Sequence, residues 1–410
     1  MNLLLRTLLF VSIAVSASGQ DAARLEQIIQ PYVQNKTFMG TVLVARDGQV
    51  ILSKGYGSAN LEWDIPNAPS TKFRLGSLTK QFTAASILLL AERGKLKLED
   101  PIKAYLPDAP FSWDRITIFN LLTHTAGLAN FTSLPDYKTM ELTEMPPAKV
   151  IARIRDLPLD FFPGERMQYS NSGYIMLGSI IEKVSGASYE QFVRDNLFMP
   201  LGMKDSGYDS NSAVIPHRAA GYSPSPIGPV NAGYIHMSIP HAAGALYSTT
   251  EDLLRWEQGL FGGKILSAAS LQKMITPFKN DYALGVVVQN GSGGKVVQHG
   301  GGIEGFNTSL AYYPDDKLTI VVLANINGPV VGEISSKLAA VMHGGTVTLP
   351  GERKEIALSK STLEKPESNT QFFFKVVDAT LEFQIDASGA ATGVRLRQGA
   401  VNELLPRKSR

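Results

Sequence analysis

Ser77 and Lys80 stand three positions apart in the run Gly76-Ser77-Leu78-Thr79-Lys80-Gln81-Phe82. On a helix, residues at i and i+3 share a face, with Cβ atoms about 5–6 Å apart. A serine in a helix's first turn lies among unpaired backbone N–H groups, where developing negative charge is stabilised. A lysine on the same turn of a buried helix loses part of its solvation, which lowers its pKa and suits it to take a proton. Nucleophile, base and oxyanion stabiliser thus fit within one short stretch. The plain alternative is an N-cap serine followed by a solvated lysine. The pattern alone does not decide between them, because Ser270–Lys273 and Ser292–Lys295 match it too.

The element that must position this pair continues from it. From Phe82 to Ala91 every face carries apolar or small residues, the pattern of a helix buried all round. Arg93 and Gly94 form a normal helix end. At 1.5 Å per residue, a helix over Ser77–Arg93 is about 26 Å long, enough for a central pillar but too short and interrupted to cross a membrane. Before it, Leu25, Ile28, Ile29 and Tyr32 have helical spacing, with an end or kink at Pro31. Phe38–Ala45 and Val50–Tyr56, joined through Asp47-Gly48, form a hairpin.

From Lys95 to about Leu246 the chain is helical and loop-rich, with helices over Ile118–Leu122, Ala148–Ile154 and Tyr174–Val184 and no convincing strand pairs. Thr249-Thr250-Glu251-Asp252 opens another helix in capping-box fashion. After Pro277 the texture turns to strands at Ala283–Val288, Lys295–Gln298, Leu310–Tyr313 and Leu318–Leu323. An amphipathic helix then carries Ile334, Leu338, Val341 and Met342. These elements predict an α+β fold. The first hairpin and the late meander share one antiparallel sheet flanked by helices, with the mostly helical region inserted between them. Residues 346–370 read as a linker. Residues 371–410, with Leu381, Phe383 and Ile385 alternating, read as a small C-terminal β appendage.

Residues 1–19 have the build of a secretory signal. Arg6 precedes the apolar stretch Thr7–Val15, and Ala17-Ser18-Gly19 offers small residues for cleavage before Gln20. The mature chain is then expected to be exported, periplasmic or secreted, with no stable membrane span, and residues 20–345 form its main domain. With 39 basic against 37 acidic residues, nothing invites nucleic acid or an anionic membrane. The absence of cysteine excludes disulfides, thiol catalysis and thiolate metal sites. The fold must stand on its core, and 44% hydrophobic residues suffice for that. His236 and His241 lack partners at metal-ligand spacing, and no His-Glu-x-x-His occurs, so neither a metal nor a cofactor is expected. His124 reads as structural, at the edge of a site at most. The glycine-rich Gly291–Gly302 is a hairpin turn entering a strand, since it does not open a helix.

Two further motifs complete a constellation: Tyr169-Ser170-Asn171, and His299-Gly300-Gly301-Gly302 at the end of a strand. His343 also starts a His-Gly-Gly, but at the end of a helix. With Ser77-Leu78-Thr79-Lys80 they resemble the active-site serine penicillin-recognising enzymes, in the branch of class C β-lactamases, D-peptidases and related esterases. Leu121–Leu128, Pro163-Gly164-Glu165 and Ala243–Ser248 extend the likeness, which covers roughly residues 22–343. The resemblance implies a β-lactamase-like serine hydrolase without cofactors, acting on a small-molecule or peptidoglycan-derived substrate. Ser77 would form an acyl-enzyme. Lys80 and Tyr169 would share the proton transfers, the phenol's pKa being lowered by the neighbouring ammonium. Asn171 would bind the substrate's amide side chain. The N–H groups of Ser77 and Gly302 would form the oxyanion hole, and Gly301 would let the substrate lie close to the strand. The third motif departs from the family's Lys-Thr-Gly. His299 is then expected to meet a substrate carboxylate where the family has a lysine, and the lost cation and hydroxyl weaken the case for efficient β-lactam hydrolysis. D-amino-acid amides, peptides and esters stay open as substrates, as does a penicillin- or peptidoglycan-binding protein that acylates without turnover.

Overall fold

The computed structural model describes residues 21–347 apart from residue 292, and four strands within residues 371–406. The candidate signal (1–19), nearly all of the linker (348–370) and Ser292, the serine of one Ser-x-x-Lys pattern, therefore lie outside the described residues. The chain divides into two compact units, with the boundary after Val347.

The first unit opens with helix α1 (residues 21–34), followed by strands β1 (Gly40–Arg46) and β2 (Gln49–Tyr56). Its remaining long strands come much later: β3 (Val287–Gly291), β4 (Gly294–Ile303), β5 (Phe306–Tyr313) and β6 (Leu318–Ala324). They form one six-stranded antiparallel sheet in the order β3-β4-β5-β6-β1-β2. The opening hairpin thus joins the late meander directly, β1 pairing with β6 from Gly40 opposite Ala324 to Arg46 opposite Leu318. Burial explains why this join holds: every residue of β6 and all but the last of β1 are buried, as in strands covered on both faces.

Between β2 and β3 lies the inserted block. Its pillar is α2 (Thr79–Glu92), in which every residue from Thr79 to Leu88 is buried. Phe82 packs on Trp256 and Phe198, with ring centroids 4.2 and 5.6 Å apart. Polar residues on the helix are all engaged: Gln81 accepts from the Trp256 indole at 2.7 Å, and Thr83 bonds Tyr189 and the Ala242 carbonyl, both at 2.7 Å. Also inserted are α3 (Asn171–Ser185), ended by the left-handed Gly186, and α4 (Thr250–Phe261), capped by the Thr249 side chain. Helix α5 (Val330–Met342) follows β6.

Three local expectations change. Ala283–Val286 is not strand, because Gly285 turns at φ +75° tightly against Lys80, where an added Cβ would lie 2.7 Å from the Lys80 carbonyl oxygen. The insert does contain short strand pairs, among them Phe73–Arg74 and Gly207–Tyr208 on either side of Leu246–Ser248. Helix α3 begins at Asn171 rather than Tyr174, so the Tyr-Ser-Asn motif straddles its N-terminus.

The second unit is an antiparallel sheet, in order β7 (Gln371–Phe373), β8 (Ala379–Ile385), β9 (Ala391–Gln398) and β10 (Val401–Pro406).

Candidate active site

Ser77 sits on a 3-10 turn, Gly76–Leu78, that leads into α2 rather than within the α-helix itself. The turn runs directly into α2, and the spacing of three residues brings Lys80 Nζ to 3.0 Å from Ser77 Oγ. The turn starts at Gly76, whose φ is +55° and whose Cβ, if present, would meet Gly302 N at 2.9 Å. Glycine is required there twice over, for the backbone conformation and for the close approach to β4.

Lys80 is fully buried. Its Nζ has three neutral partners: Ser77 Oγ, Asn171 Oδ1 at 2.9 Å and the Ala243 carbonyl at 2.8 Å. Burial without a carboxylate beside it pushes the amine well below the usual lysine range. A neutral amine suits these partners well: two N–H groups donate to Asn171 and Ala243, while the lone pair accepts the Ser77 hydroxyl proton.

Tyr169 lies beside this pair, with Lys80 Nζ 4.8 Å from its ring centroid. Its hydroxyl is buried and makes no hydrogen bond of full geometry. Burial pushes this phenol up, and only the nearby Ser77 hydroxyl pulls it down. The expectation that the lysine lowers it is therefore overturned: the phenol's own burial dominates, and the lysine gives no offsetting pull.

The structure assembles Ser77, Lys80, Tyr169 and Asn171 as the motifs suggest. Asn171 bonds Lys80 through its oxygen and Thr132 through its amide nitrogen at 3.3 Å, and it lines the cleft. Gly302 lines that cleft of about 530 Å³ together with Ser77. His299 and Gly301 do not line it. The His299 ring is buried, donating from Nδ1 to the Gly300 carbonyl at 2.5 Å and accepting the Tyr282 hydroxyl at Nε2, 3.1 Å away. Burial, then the nearby Lys80, bring it down to about 4. It is thus uncharged near neutrality, with both nitrogens turned inward. The space a side chain at Gly301 would need is filled by the Leu75 carbonyl, 2.0 Å from the missing Cβ, so this glycine seats the Ser77 turn against β4.

His124 does more than edge the site. Its carbonyl accepts from Gln168 N at 2.9 Å and its Nδ1 from Ser170 N at 3.2 Å, while its ring stacks on Tyr169 with centroids 4.2 Å apart. It grips the segment that presents the phenol. Burial, then Lys80, keep its imidazole well below the usual range. Residues that the sequence does not mark include Tyr282, and Lys138, Glu141 and Glu304 in the cleft. They belong to no motif; Lys138 and Glu141 are a local pair three residues apart, and only tertiary folding brings Glu304 to them. Ser270 is a helix residue bonded to the N-cap Ser267, and His241 pairs with Tyr208. Among the described residues no acidic or histidine cluster is arranged to hold a metal.

A serine and a buried amine on the first turns of a central helix, faced by a glycine-rich edge of an antiparallel sheet, are arranged as in a β-lactamase-like fold. The family described as Beta-lactamase matches residues 25–341, and the chain belongs to it, among serine hydrolases. Over 94% of its length the chain is 27% identical to penicillin-binding protein 4* of Bacillus subtilis, covering 98% of that protein. Among solved structures, it is similar to the octameric penicillin-binding protein homologue from Pyrococcus abyssi, with a TM-score of 0.72, 27% identity, and coverage of 94% and 90%. A D-stereospecific amidohydrolase from Streptomyces gives a TM-score of 0.66 at 25% identity, over 80% of this chain and 99% of that one. No described helix is long and apolar enough to cross a membrane.

Proposed function

We propose that the protein is an exported hydrolase acting through an acyl-enzyme on D-amino-acid amides or peptides, esters or β-lactams. The observation that carries this reading is the buried, uncompensated Lys80 amine 3.0 Å from Ser77 Oγ. Ser77 Oγ attacks the substrate carbonyl while its proton passes to the Lys80 lone pair. The new oxyanion is held by the N–H groups of Ser77 and Gly302. As the carbon–nitrogen or carbon–oxygen bond breaks, Tyr169, kept protonated by burial, gives its proton to the leaving group and is reprotonated from the Lys80 ammonium. Water then repeats the sequence in reverse to release the acid. The amide nitrogen of Asn171 faces the acyl side chain.

Two rival readings share this site: a carboxylesterase, and a penicillin- or peptidoglycan-binding protein that acylates and stalls. The inward-turned His299 supports substrates without a carboxylate at the position where the family's lysine would meet one. A panel of nitrocefin, a p-nitrophenyl ester, a D-alanyl dipeptide and a D-amino-acid anilide separates them. Intact-mass spectrometry after a fluorophosphonate or penicillin should show one adduct, absent in Ser77→Ala. An adduct that persists in that variant places the nucleophile elsewhere.

A further inference from the structure

The cleft that contains Ser77 also holds a charge arrangement that acyl transfer does not use. Glu141, at the end of the short helix Tyr137–Met140, is buried, and Glu304 stands in the turn between β4 and β5. Both line the cleft, as does Lys138. Lys138 Nζ donates to Glu141 Oε1 at 2.9 Å and approaches Glu304 Oε1 at 3.8 Å. The second Glu141 oxygen, Oε2, is buried and makes no hydrogen bond of full geometry, although the Tyr137 hydroxyl and the Glu304 carboxyl lie close to the Glu141 carboxylate. Two carboxylates therefore share one ammonium, and an acceptor is left over.

That ammonium is weakly held. The Lys138 side chain is 78% exposed, against 6% for Glu141, and an ion pair with so exposed a partner is worth little. The backbone that carries the two carboxylates, by contrast, is anchored. Asn327 donates to the Ile303 carbonyl at 3.0 Å and accepts from Gly305 N at 2.8 Å, bracketing Glu304 on both sides. The Glu141 backbone carbonyl accepts from His236 N at 2.8 Å. Burial, reinforced by the neighbouring Glu141, holds the Glu304 carboxyl above its usual range, as expected where negative charge is under-compensated.

We propose that Glu141 and Glu304 form a subsite for the ammonium group of an amine-bearing acyl donor, with Lys138 Nζ occupying that position in the free protein. The ligand class is an amide, peptide or ester whose acyl part carries a primary amine. A single tetrahedral ammonium fits because Lys138 Nζ itself reaches both carboxylates from one point. This inference rests on the acyl-enzyme reading of Ser77 and adds the acyl-side specificity.

The test compares acyl donors that differ only in the amine. One pair is D-phenylalanine p-nitroanilide against its N-acetyl derivative, read as kcat/KM. The other is D-α-aminobenzylpenicillin against benzylpenicillin, read as the rate of Ser77 acylation, which needs no turnover. The amine-to-neutral ratio should exceed ten in the wild type and fall at least tenfold in Glu304→Gln, as for loss of a hydrogen bond to a charged group. Lys138→Met, which removes the competing cation, should raise it. Lys138 is exposed and Glu304 stands in a turn, replaced there by a residue of the same shape, so both variants should fold. A smaller fall in Glu304→Gln, or a lower ratio in Lys138→Met, overturns the subsite and leaves the hydrolase reading standing. A Ser77 that no donor acylates overturns both.

Discussion

Two buried charges, both next to the segment Ala243–Leu246, are treated in opposite ways. Asp209 is fully buried and clasped by Arg74 Nε at 2.7 Å and Arg218 Nη1 at 2.5 Å, while its backbone N–H donates to the Ala245 carbonyl. Lys80 is equally buried, bonds the Ala243 carbonyl, and has no acid beside it. Removing a charge from water costs several kcal/mol unless a partner offsets it. At Asp209 the arginines offset that cost, and the group joins Phe73–Arg74, Gly207–Tyr208 and Leu246–Ser248 into one anchor. At Lys80 nothing offsets it, so the amine's hold on its proton is weakened, which suits it to act as a base. A buried charge with partners holds structure; one without them is available for chemistry.

The comparison can be broken most decisively at Lys80. Lys80→Met should lower kcat/KM by roughly 10²–10⁴, the usual loss when general acid–base help is removed. Its unfolding free energy should fall by no more than about 1–3 kcal/mol, the cost of leaving the Asn171 and Ala243 acceptors without a donor. A variant that keeps its activity would mean that the amine is a structural plug. At Asp209 the order should invert. Asp209→Ala leaves two half-buried arginines without their acid and should cost up to about 3 kcal/mol in denaturant unfolding, with the rate per folded molecule much less affected. A stable but inactive Asp209→Ala would erase the distinction between the two centres.

A third buried charge sharpens the contrast. Glu257 on α4 is buried, its Oε2 has no partner, and burial pushes its carboxyl up to about 8. The folded protein therefore binds this proton more tightly than the unfolded chain, whose carboxyl titrates near 4.3. The stability this group contributes is fully present below the unfolded value and is lost as pH rises toward the folded one. Glu257→Gln, which cannot ionise, should thus gain on the wild type by a few kcal/mol between pH 5 and pH 8, since each tenfold change in proton affinity is worth about 1.4 kcal/mol. Thermal melts of both proteins across that range check it. A difference that does not change with pH would mean that Glu257 is ionised throughout and paired.

What the sequence determined by itself is local. The buried pillar is visible in the unbroken apolar run after Lys80, and the hairpin in Asp47-Gly48, because periodicity and turn chemistry act over a few residues. The closeness of Ser77 and Lys80 follows from their spacing, whichever kind of turn carries them. The likeness of three motifs added Tyr169 and Asn171. Tertiary structure decided the rest, since dielectric and pairing depend on what the distant chain places nearby. It turned His299 inward onto Tyr282 and Gly300. It gave Gly301 to the Leu75 carbonyl, and it raised the Tyr169 phenol that the motif alone suggests is lowered. It set His124 against the loop carrying that phenol, and it brought Glu141 and Glu304, far apart in the chain, around one lysine. A residue's type tells which charges and protons it can carry; only its surroundings in the fold tell which of them it keeps.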